Sequence, residues 1–345
     1  MERIRCYMYR EGYDFTLPER FTAMSRVRPE TAECVIELPG GGHAPHPDHF
    51  EQVSPEEAEI FLFPYDLGFI LNCLFTEETT RFLSTLPYLS GREKRHVFSD
   101  NGDPPACILL PVLLFKRSLL KLTTEGGLPR SLQCLGKYPE APFPVITWYS
   151  LPTHVAEDKP SFNPRDIRYD CSFVGAYSHI IRNIAAKSLE RQEDIRFYSG
   201  GFDGILLEEN GFRPIPQTPE EKRKRQETFR RVTKASLTVL CPPGVGPQSF
   251  RMYEAMYYGR IPVLFTRKIC YPFEDRIDYN AFCLFIEEED ILHTGPVLRR
   301  WLDEQGDEAL WKKCALASKT WNTWFSEKNR VPLLADCIRE HIARI

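Results

Sequence analysis

The chain has 345 residues, of which 42% are hydrophobic and 27% are charged. This composition is typical of a soluble globular protein, and the length is sufficient for two domains with sizeable cores. The formal net charge of −4 argues against a general nucleic-acid-binding protein, because such proteins usually carry a basic excess.

Targeting and redox signals point to one compartment. No stretch approaches the ~20 consecutive apolar residues that a membrane helix needs, and the charged N-terminus lacks the apolar core of a signal peptide. The 11 cysteines are scattered without a CxxC pair, which favours reduced thiols in a reducing compartment. We therefore expect a cytoplasmic protein without a transmembrane segment.

The first part of the chain alternates apolar strands with helices and polar loops. "IRCYMYR" predicts an opening strand, and "SPEEAEIFLFPYDLG" predicts one helical turn at Ser54 followed by a strand buried on both faces. "TTRFLSTLPYL" predicts a helix. "KRHVFSDNGDPPA" predicts a strand with a polar loop at its carboxyl end, and "PFPVITWYS" predicts a strand that ends near Ser150.

A segment rich in proline and charge, 151–168, has no periodicity and predicts a domain boundary. After it, "YDCSFVGAYSHIIRNIAAKSLE" predicts a strand, a turn at Gly175 and a helix, and "DIRFYSGGFDG" predicts a strand and loop. A capping box from Thr218 to Glu221 opens a basic helix, and "LTVLC" predicts a buried strand. The C-terminal "VLRRWLDEQGDEALWKKCALASKTWNTWFSEK" is expected to be helical.

This alternation in both halves predicts parallel sheets with helical crossovers. We predict an α/β fold with two Rossmann-like doubly wound domains that face a cleft, and C-terminal helices that pack back across the domains. The predicted bounds are 1–160, 161–325 and 326–345, the last a helix that returns to the N-terminal domain. Ligands of such sheets bind outside the carboxyl ends of the strands. The Gly175 turn, the 200–204 loop and the loop before Ser249 should therefore lie close together.

The segment "CPPGVGPQSFRMYEAMYYGRIPVLF", residues 241–265, predicts a glycine- and proline-rich loop, a helix from about Ser249 to Tyr258, and a strand. Ser249 is the expected N-cap, and Gly259 is the expected C-terminal stop. The residues at i, i+3, i+4 spacing are expected to face the core: Met252, Ala255 and Met256.

Two charged residues on the other face of this helix suggest a ligand. A helix N-terminus after a loop that contains Gly244 offers unpaired N–H groups to an anion, and Arg251 adds a planar donor fork suited to phosphate. Glu254 lies one turn further on, where a carboxylate suits the vicinal hydroxyls of a ribose. Together they describe a nucleoside diphosphate along the helix. The alternative is a solvated ion pair between Arg251 and Glu254, and the segment has neither a GxGxxG nor a P-loop pattern.

The longer segment "CPPGVGPQSFRMYEAMYYGRIPVLFTRKICYPFEDRIDYNAFCLFIEEEDI" resembles the C-terminal motif of the exostosin-like family of inverting glycosyltransferases. Upstream, "IRCYMYRE", "SPEEAEIFLFPYD", "HVFSDNGDPP" and "CSFVGAYSHIIRNIAAKSL" are similar to further family segments, and Arg182 matches the arginine of the last one. The likeness runs in order from about residue 3 to 291. It implies a two-domain GT-B architecture, with an acceptor-side N-terminal domain and a nucleotide-sugar donor held mainly by the second domain.

The resemblance implies an inverting glycosyltransferase that moves a sugar from a nucleotide sugar, expected to be a UDP-sugar, to a hydroxyl of a glycan or glycoconjugate. Positive charge replaces a metal in such enzymes, so no cofactor is required, and a divalent metal is compatible but not essential. The partners are the donor and the acceptor, with no nucleic acid. The residues expected to bind the donor are Ser249, Phe250, Arg251, Glu254, Arg182, Gly175 and Gly244.

Inverting transfer needs a general base. Asp100, Asp66 and Asp103 are candidates because each follows a strand of the first domain; Asp100 is the first choice and Asp66 the second. Each is equally compatible with a turn or capping role. The chain reads Asp100-Asn101 where the family has His-Asp. This departure motivates an alternative function, a non-catalytic nucleotide- or glycan-binding relative that acts as a partner subunit.

Three histidines raise the question of a metal. His43, His46 and His49 repeat every third residue, but the interleaved prolines oppose a helix that would place them on one face. We therefore predict no metal site there.

Overall fold

The protein is described as a computed structural model for residues 2–19, 47–66, 70, 76–100, 112–116, 145–146, 151–160, 162–177, 179–202, 205–208, 211–214, 218–244, 249–265 and 269–345. The chain divides into two compact units. The first comprises Met1–Trp148, Lys268–Phe273 and Glu327–Ile345, and the second comprises Tyr149–Arg267 and Glu274–Ser326. The domain bounds predicted from the sequence stay a prediction.

The first unit is built on a six-stranded parallel sheet with the order β2-β1-β3-β4-β5-β6. Strand β3 is buried almost throughout, as its apolar run predicts, and a single turn precedes it, because the amides of Glu57 and Ala58 donate to the carbonyl of Ser54. Strand β2 follows the proline-rich histidine segment and was not predicted. The strands are β1 (Ile4–Met8), β2 (Phe50–Gln52), β3 (Ile60–Asp66), β4 (His96–Asp100), β5 (Leu113–Lys116) and β6 (Val145–Ile146).

Aromatic rings fill the core of this unit. The buried imidazole of His96 stacks on Phe61, with ring centroids 4.8 Å apart. Its nitrogens bond to the Tyr9 hydroxyl and to the carbonyl oxygen of Arg92, both at 2.8 Å. Burial therefore leaves no polar atom of this ring without a partner. Among the residues of this unit that the structure describes, the helices with defined bounds are α1 (Thr76–Leu83) and the C-terminal α7 (Glu327–Ile342), and a 3₁₀ turn spans Glu93–Arg95.

The second unit holds a five-stranded parallel sheet with the order β13-β12-β11-β7-β8. Its strands are β7 (Tyr169–Ala176), β8 (Phe197–Phe202), β11 (Ser236–Cys241), β12 (Ile261–Leu264) and β13 (Leu284–Phe285). A separate antiparallel pair consists of β9 (Ile205–Glu208) and β10 (Gly211–Pro214). The helices are α2 (Thr153–Ala156), α3 (Ile180–Glu190), α4 (Pro219–Lys234), α5 (Arg251–Tyr257) and α6 (Thr294–Thr320), with 3₁₀ turns at Pro164–Asp166, Tyr279–Ala281 and Glu288–His293 and a π-helical turn at Trp321–Phe325.

Both sheets reverse their strand order at one point. In the first sheet the reversal lies between β1 and β3, and in the second it lies between β7 and β11. Open parallel sheets of this order bind ligands outside the carboxyl ends of the strands at this switch point. The predicted fold class, two Rossmann-like α/β units, is confirmed; the predicted cleft between them stays a prediction.

Some local predictions were wrong. Gly175 lies within β7 rather than in a turn, and it pairs with Gly201, which lies within β8 rather than in a loop. The segment 151–168, predicted as a domain boundary, contains α2, of which Val155 is fully buried, and the Tyr257 hydroxyl donates to the carbonyl oxygen of Asp158 at 2.8 Å. In the described part of the chain, no helix is both long enough and apolar enough to span a bilayer.

Candidate functional site

The loop and helix after β11 define the candidate site. Strand β11 is buried along its whole length, and α5 begins at Arg251, two residues later than predicted. The N-cap is Phe250, which has helical backbone angles and no side-chain capping bond. The prediction of Ser249 as N-cap was therefore wrong: its hydroxyl is buried and has no hydrogen-bond partner among the described residues. Gly259 ends the helix with a φ of 62°, as its lack of a Cβ allows.

Arg251 and Glu254 form an ion pair in which a guanidinium Nη1 donates to the carboxylate. The Glu254 side chain is only 3% exposed, against 27% for Arg251, so the alternative of a solvated surface pair was wrong. Burial raises the pKa of Glu254, and the charge and hydrogen bond of Arg251 oppose that rise. The Arg251 guanidinium also lies over the ring of Phe229, with 4.1 Å between its Cζ and the ring centroid. The helix residues predicted to face the core are buried: Met252, Ala255 and Met256.

Arg182 bridges the two strands at the switch point of the second sheet. From helix α3 its Nη1 donates to the carbonyl oxygen of Ala176, the last residue of β7, and its Nε donates to the carbonyl oxygen of Pro243, after β11. Both bonds are 2.8 Å long. Burial, and then the positive charge of Arg251, lowers the pKa of Arg182 to about 10. Two guanidinium groups close enough to perturb each other therefore share one region.

Gly175 brings the end of β7 against this region. A Cβ built at Gly175 would lie 3.5 Å from Nη2 of Arg251 and 3.4 Å from the ring of Phe173. Gly244 follows directly on Pro243, the residue that Arg182 holds, and is partly exposed. The structure thus brings together Gly175, Arg182, Arg251 and Glu254, and it places Gly244 beside them.

Helix α4 also contributes to the candidate site, which the sequence pattern did not predict. Besides Phe229 under Arg251, Arg230 donates to the carbonyl oxygen of His154 at 3.0 Å. Burial lowers the pKa of His154, and the charges of Arg230, Arg251 and Lys222 lower it further. The sequence pattern predicts only a basic helix here. Phe229 and Val232, the apolar residues near its C-terminal end, are buried and show that part of the helix packs inward.

The candidate base residues lie at the carboxyl edge of the first sheet, apart from Asp103, which falls outside the described residues together with His43 and His46. Asp66 ends β3 and is buried, and it accepts a 3.3 Å hydrogen bond from Ser99. Asp100 ends β4, and only its backbone is described. Their catalytic roles stay a prediction. Among the described residues, no group of three His, Cys, Asp or Glu side chains could hold a metal ion.

One segment of the chain matches a known protein family. Residues 202–301 match the family model of the exostosin GT47 domain. The match covers Arg251, Glu254 and the loop before them, but not Gly175 or Arg182. The resemblance predicted from the sequence is thus confirmed for this part of the chain.

Similar proteins of plants align over a short part of the chain. A probable glucuronosyltransferase of Oryza sativa subsp. japonica is 35% identical over 71 residues, which are 21% of this chain and 16% of that protein. A probable β-1,4-xylosyltransferase of Arabidopsis thaliana is 32% identical over 71 residues, 21% of this chain and 17% of that protein. The aligned part thus spans less than a fifth of either relative.

Solved structures show a more distant likeness. The crystal structure of TarM has a TM-score of 0.41 and 12% identity, over 74% of this chain and 57% of that one. A glycosyltransferase from Rickettsia africae has a TM-score of 0.39 and 10% identity, over 82% of this chain and 70% of that one. Likenesses this remote do not bear on function, and the fold rests on the two sheets described above.

Proposed function

We propose that the protein is a glycosyltransferase that moves a sugar from a nucleotide-sugar donor, a UDP-sugar, to a hydroxyl of a glycan or glycoconjugate with inversion at the anomeric carbon. The observation that carries this proposal is the convergence of Arg182 and Arg251 at the switch point of the second sheet. The exostosin GT47 match over residues 202–301 and the similarity to plant proteins named as probable glycosyltransferases support the reaction class.

The two arginines suit the leaving group of such a transfer. A departing nucleoside diphosphate gains negative charge as the glycosidic bond breaks, and fixed cations at that point stabilise the transition state. Arg251 carries a planar donor fork for phosphate oxygens, while Arg182 fixes the two strand ends and adds its charge. No metal is required in this proposal, because the guanidinium groups supply the positive charge.

Glu254 suits the sugar of the nucleotide. Its carboxylate is buried and forms an ion pair with Arg251. A diphosphate bound to Arg251 would compete with Glu254 for the guanidinium. The ribose hydroxyls of the same ligand would then replace the guanidinium as hydrogen-bond donors to the Glu254 carboxylate. A buried carboxylate without a donor is costly, so a ligand with both groups fits this site better than inorganic phosphate.

The test is a thermal-shift panel with UDP, GDP, CMP and ADP, followed by measurement of UDP released from a set of UDP-sugars. We expect UDP to raise the melting temperature more than the other nucleotides, and one UDP-sugar to release UDP. Absence of any shift with uridine nucleotides would refute the proposal.

Two observations favour a second candidate, a non-catalytic relative that binds donor or glycan within a larger assembly. Asp66 is buried and hydrogen-bonded, and the chain reads Asp100-Asn101 where the family has His-Asp. This candidate predicts UDP binding without UDP release from any donor, even with acceptors present. Slow release above the rate of a protein-free control would exclude it.

We also propose a cytoplasmic location. The cysteines among the described residues are free thiols, as expected in a reducing compartment. Labelling of the native protein extracted with a thiol-blocking reagent, followed by mass spectrometry, would test this, since disulfide-linked peptides would contradict it.

A further inference from the structure

The turn after β1 is held rigidly by a buried carboxylate. The side chain of Asp14 is 2% exposed and accepts hydrogen bonds from the Arg10 amide at 2.7 Å and from the Tyr7 hydroxyl at 2.8 Å. The Gly12 amide donates to the carbonyl oxygen of Phe15 at 2.8 Å, and Gly12 has a φ of 78°, which favours glycine. The turn is therefore a fixed platform rather than a loose loop.

This platform presents an aromatic ring to solvent. Tyr13 is 74% exposed, the highest value among the large hydrophobic residues that the structure describes. The Arg10 guanidinium lies 4.0 Å from its ring centroid and donates to the Tyr7 hydroxyl at 3.2 Å. Arg10 thus fixes the orientation of the Tyr13 ring through a cation–π contact, while most of the ring surface stays accessible.

The same turn carries a carboxylate two residues before Tyr13. Glu11 is exposed and accepts a hydrogen bond from the hydroxyl of Tyr65. Tyr65 is the penultimate residue of β3 and precedes Asp66, so this contact places Glu11 beside the carboxyl end of β3. The residues of the turn follow β1. The platform therefore lies at the switch point of the first sheet, where such sheets bind ligands.

We propose that Tyr13 and Glu11 form a saccharide-binding subsite on the first unit, which takes the acceptor glycan. A pyranose ring has an apolar face of C–H groups and an edge of hydroxyls. An exposed, oriented aromatic ring matches the apolar face, and a neighbouring carboxylate accepts hydrogen bonds from the hydroxyls. The ligand class is a neutral saccharide rather than a phosphorylated ligand, because the carboxylates of Glu11 and Asp14 repel phosphate and Arg10 is already engaged by Tyr7, Tyr13 and Asp14. The acceptor role rests on the proposed function, whereas saccharide binding does not.

The test compares saccharide binding by the full chain and its variants on a printed array of plant, bacterial and animal oligosaccharides, followed by titration of the best ligand. We expect Tyr13→Ala to weaken binding about tenfold, since the ring supplies the apolar contact surface of the subsite. Tyr13→Trp should bind within about threefold of the wild type, because it keeps a ring. Leu292→Ala, at a residue that is 69% exposed in the second unit, is the matched control and should bind as the wild type.

Equal binding by Tyr13→Ala and the wild type would overturn the subsite, and so would an array on which the wild type binds nothing. The thermal shift with UDP separates this result from the proposed function. Loss of saccharide binding with an unchanged UDP shift supports the subsite, whereas a wild type that binds saccharide but shows no UDP shift refutes the donor assignment alone.

Discussion

The Nε of Arg182 donates a 2.8 Å hydrogen bond to the carbonyl oxygen of Pro243 and so ties helix α3 to the loop after β11. The same guanidinium holds Ala176 at the end of β7. The two strand ends that flank the switch point are therefore fixed relative to each other by a single side chain. This arrangement suggests that Arg182 positions the anion site as well as adding charge to it.

Substitutions of Arg182 distinguish its positioning role from the contribution of its positive charge. Arg182→Lys keeps a positive charge but loses the planar fork that reaches two carbonyl oxygens. We expect both Arg182→Lys and Arg182→Ala to weaken UDP binding at least about tenfold, because each variant loses at least one of the two charge-assisted hydrogen bonds of Arg182 and one such bond is worth roughly 1.5–3 kcal/mol. Isothermal titration with UDP measures this. Wild-type affinity in Arg182→Lys would show that only the charge matters.

Arg251 and Glu254 should affect stability as a coupled pair, so the effects of the two substitutions should not simply add. Arg251→Ala leaves the carboxylate of Glu254 buried without its partner, and we expect a loss of about 1–3 kcal/mol in the free energy of unfolding. Adding Glu254→Gln should recover part of this loss, since the buried charge is gone. Urea denaturation measures the cycle, with Arg231→Ala, at an exposed arginine of α4, as the control.

The loss of stability caused by Arg251→Ala should depend on pH, and the titration of Glu254 determines its direction. Burial raises the pKa of this carboxyl in the folded state, and loss of Arg251 removes the groups that oppose the rise. A carboxyl group whose pKa is higher in the folded state contributes stability below its unfolded pKa of about 4.3. That contribution to the free energy of unfolding is lost as pH rises. The destabilisation should therefore grow between about pH 4 and neutrality, and a pH-independent loss would contradict the assignment.

Gly175 allows a test of how closely β7 approaches Arg251. A Cβ there meets ordinary van der Waals distances, 3.5 Å to Nη2 of Arg251 and 3.4 Å to Phe173, so Gly175→Ala should fold and bind UDP nearly as the wild type does. Gly175→Val adds two methyl groups toward the guanidinium and should weaken UDP binding about tenfold, as expected for overpacking that costs on the order of 1–3 kcal/mol. Similar UDP affinities for the valine and alanine variants would show that the site is more open than the structure indicates.

His96 predicts acid sensitivity of the first unit. Burial lowers the pKa of its imidazole to about 4. A histidine that is neutral in the fold binds protons more tightly when unfolded, so stability is lost as pH falls from about 6.5 toward 4. We expect a loss of about 2 kcal/mol by about pH 5, measured by urea denaturation across pH. His96→Gln should be less stable at neutral pH but should lack most of this slope, and an unchanged slope would assign the effect to other groups.

Much of the fold followed from local signals. The capping box of Thr218 and Glu221 opens α4 as predicted, and the apolar runs of β3 and β11 are buried strands. The pair β9 and β10 was missed although Asn210-Gly211 is a hairpin signal, because the glycines just before it were interpreted as a continuous loop. Gly306, with a φ of 67° inside α6, is a break that helical periodicity does not reveal.

The candidate site was predictable in part. The pattern around Arg251 and Glu254 indicated the ion pair, but not that Glu254 is buried, because burial depends on the packing of α5 against the sheet and α6. The tether from Arg182 to Pro243 joins residues far apart in sequence and needs the strand order of the second sheet. Tyr13 and Glu11 lie in a short turn without periodicity, so only the structure shows that Glu11 contacts Tyr65 and that the Tyr13 ring is exposed.

The most direct test is a crystal structure of the protein with UDP. We expect density for the diphosphate within hydrogen-bond distance of the Arg251 guanidinium, near the loop that Arg182 contacts, and a ribose hydroxyl that donates to the carboxylate of Glu254. UDP bound elsewhere, with the pair of Arg251 and Glu254 undisturbed, would contradict this expectation.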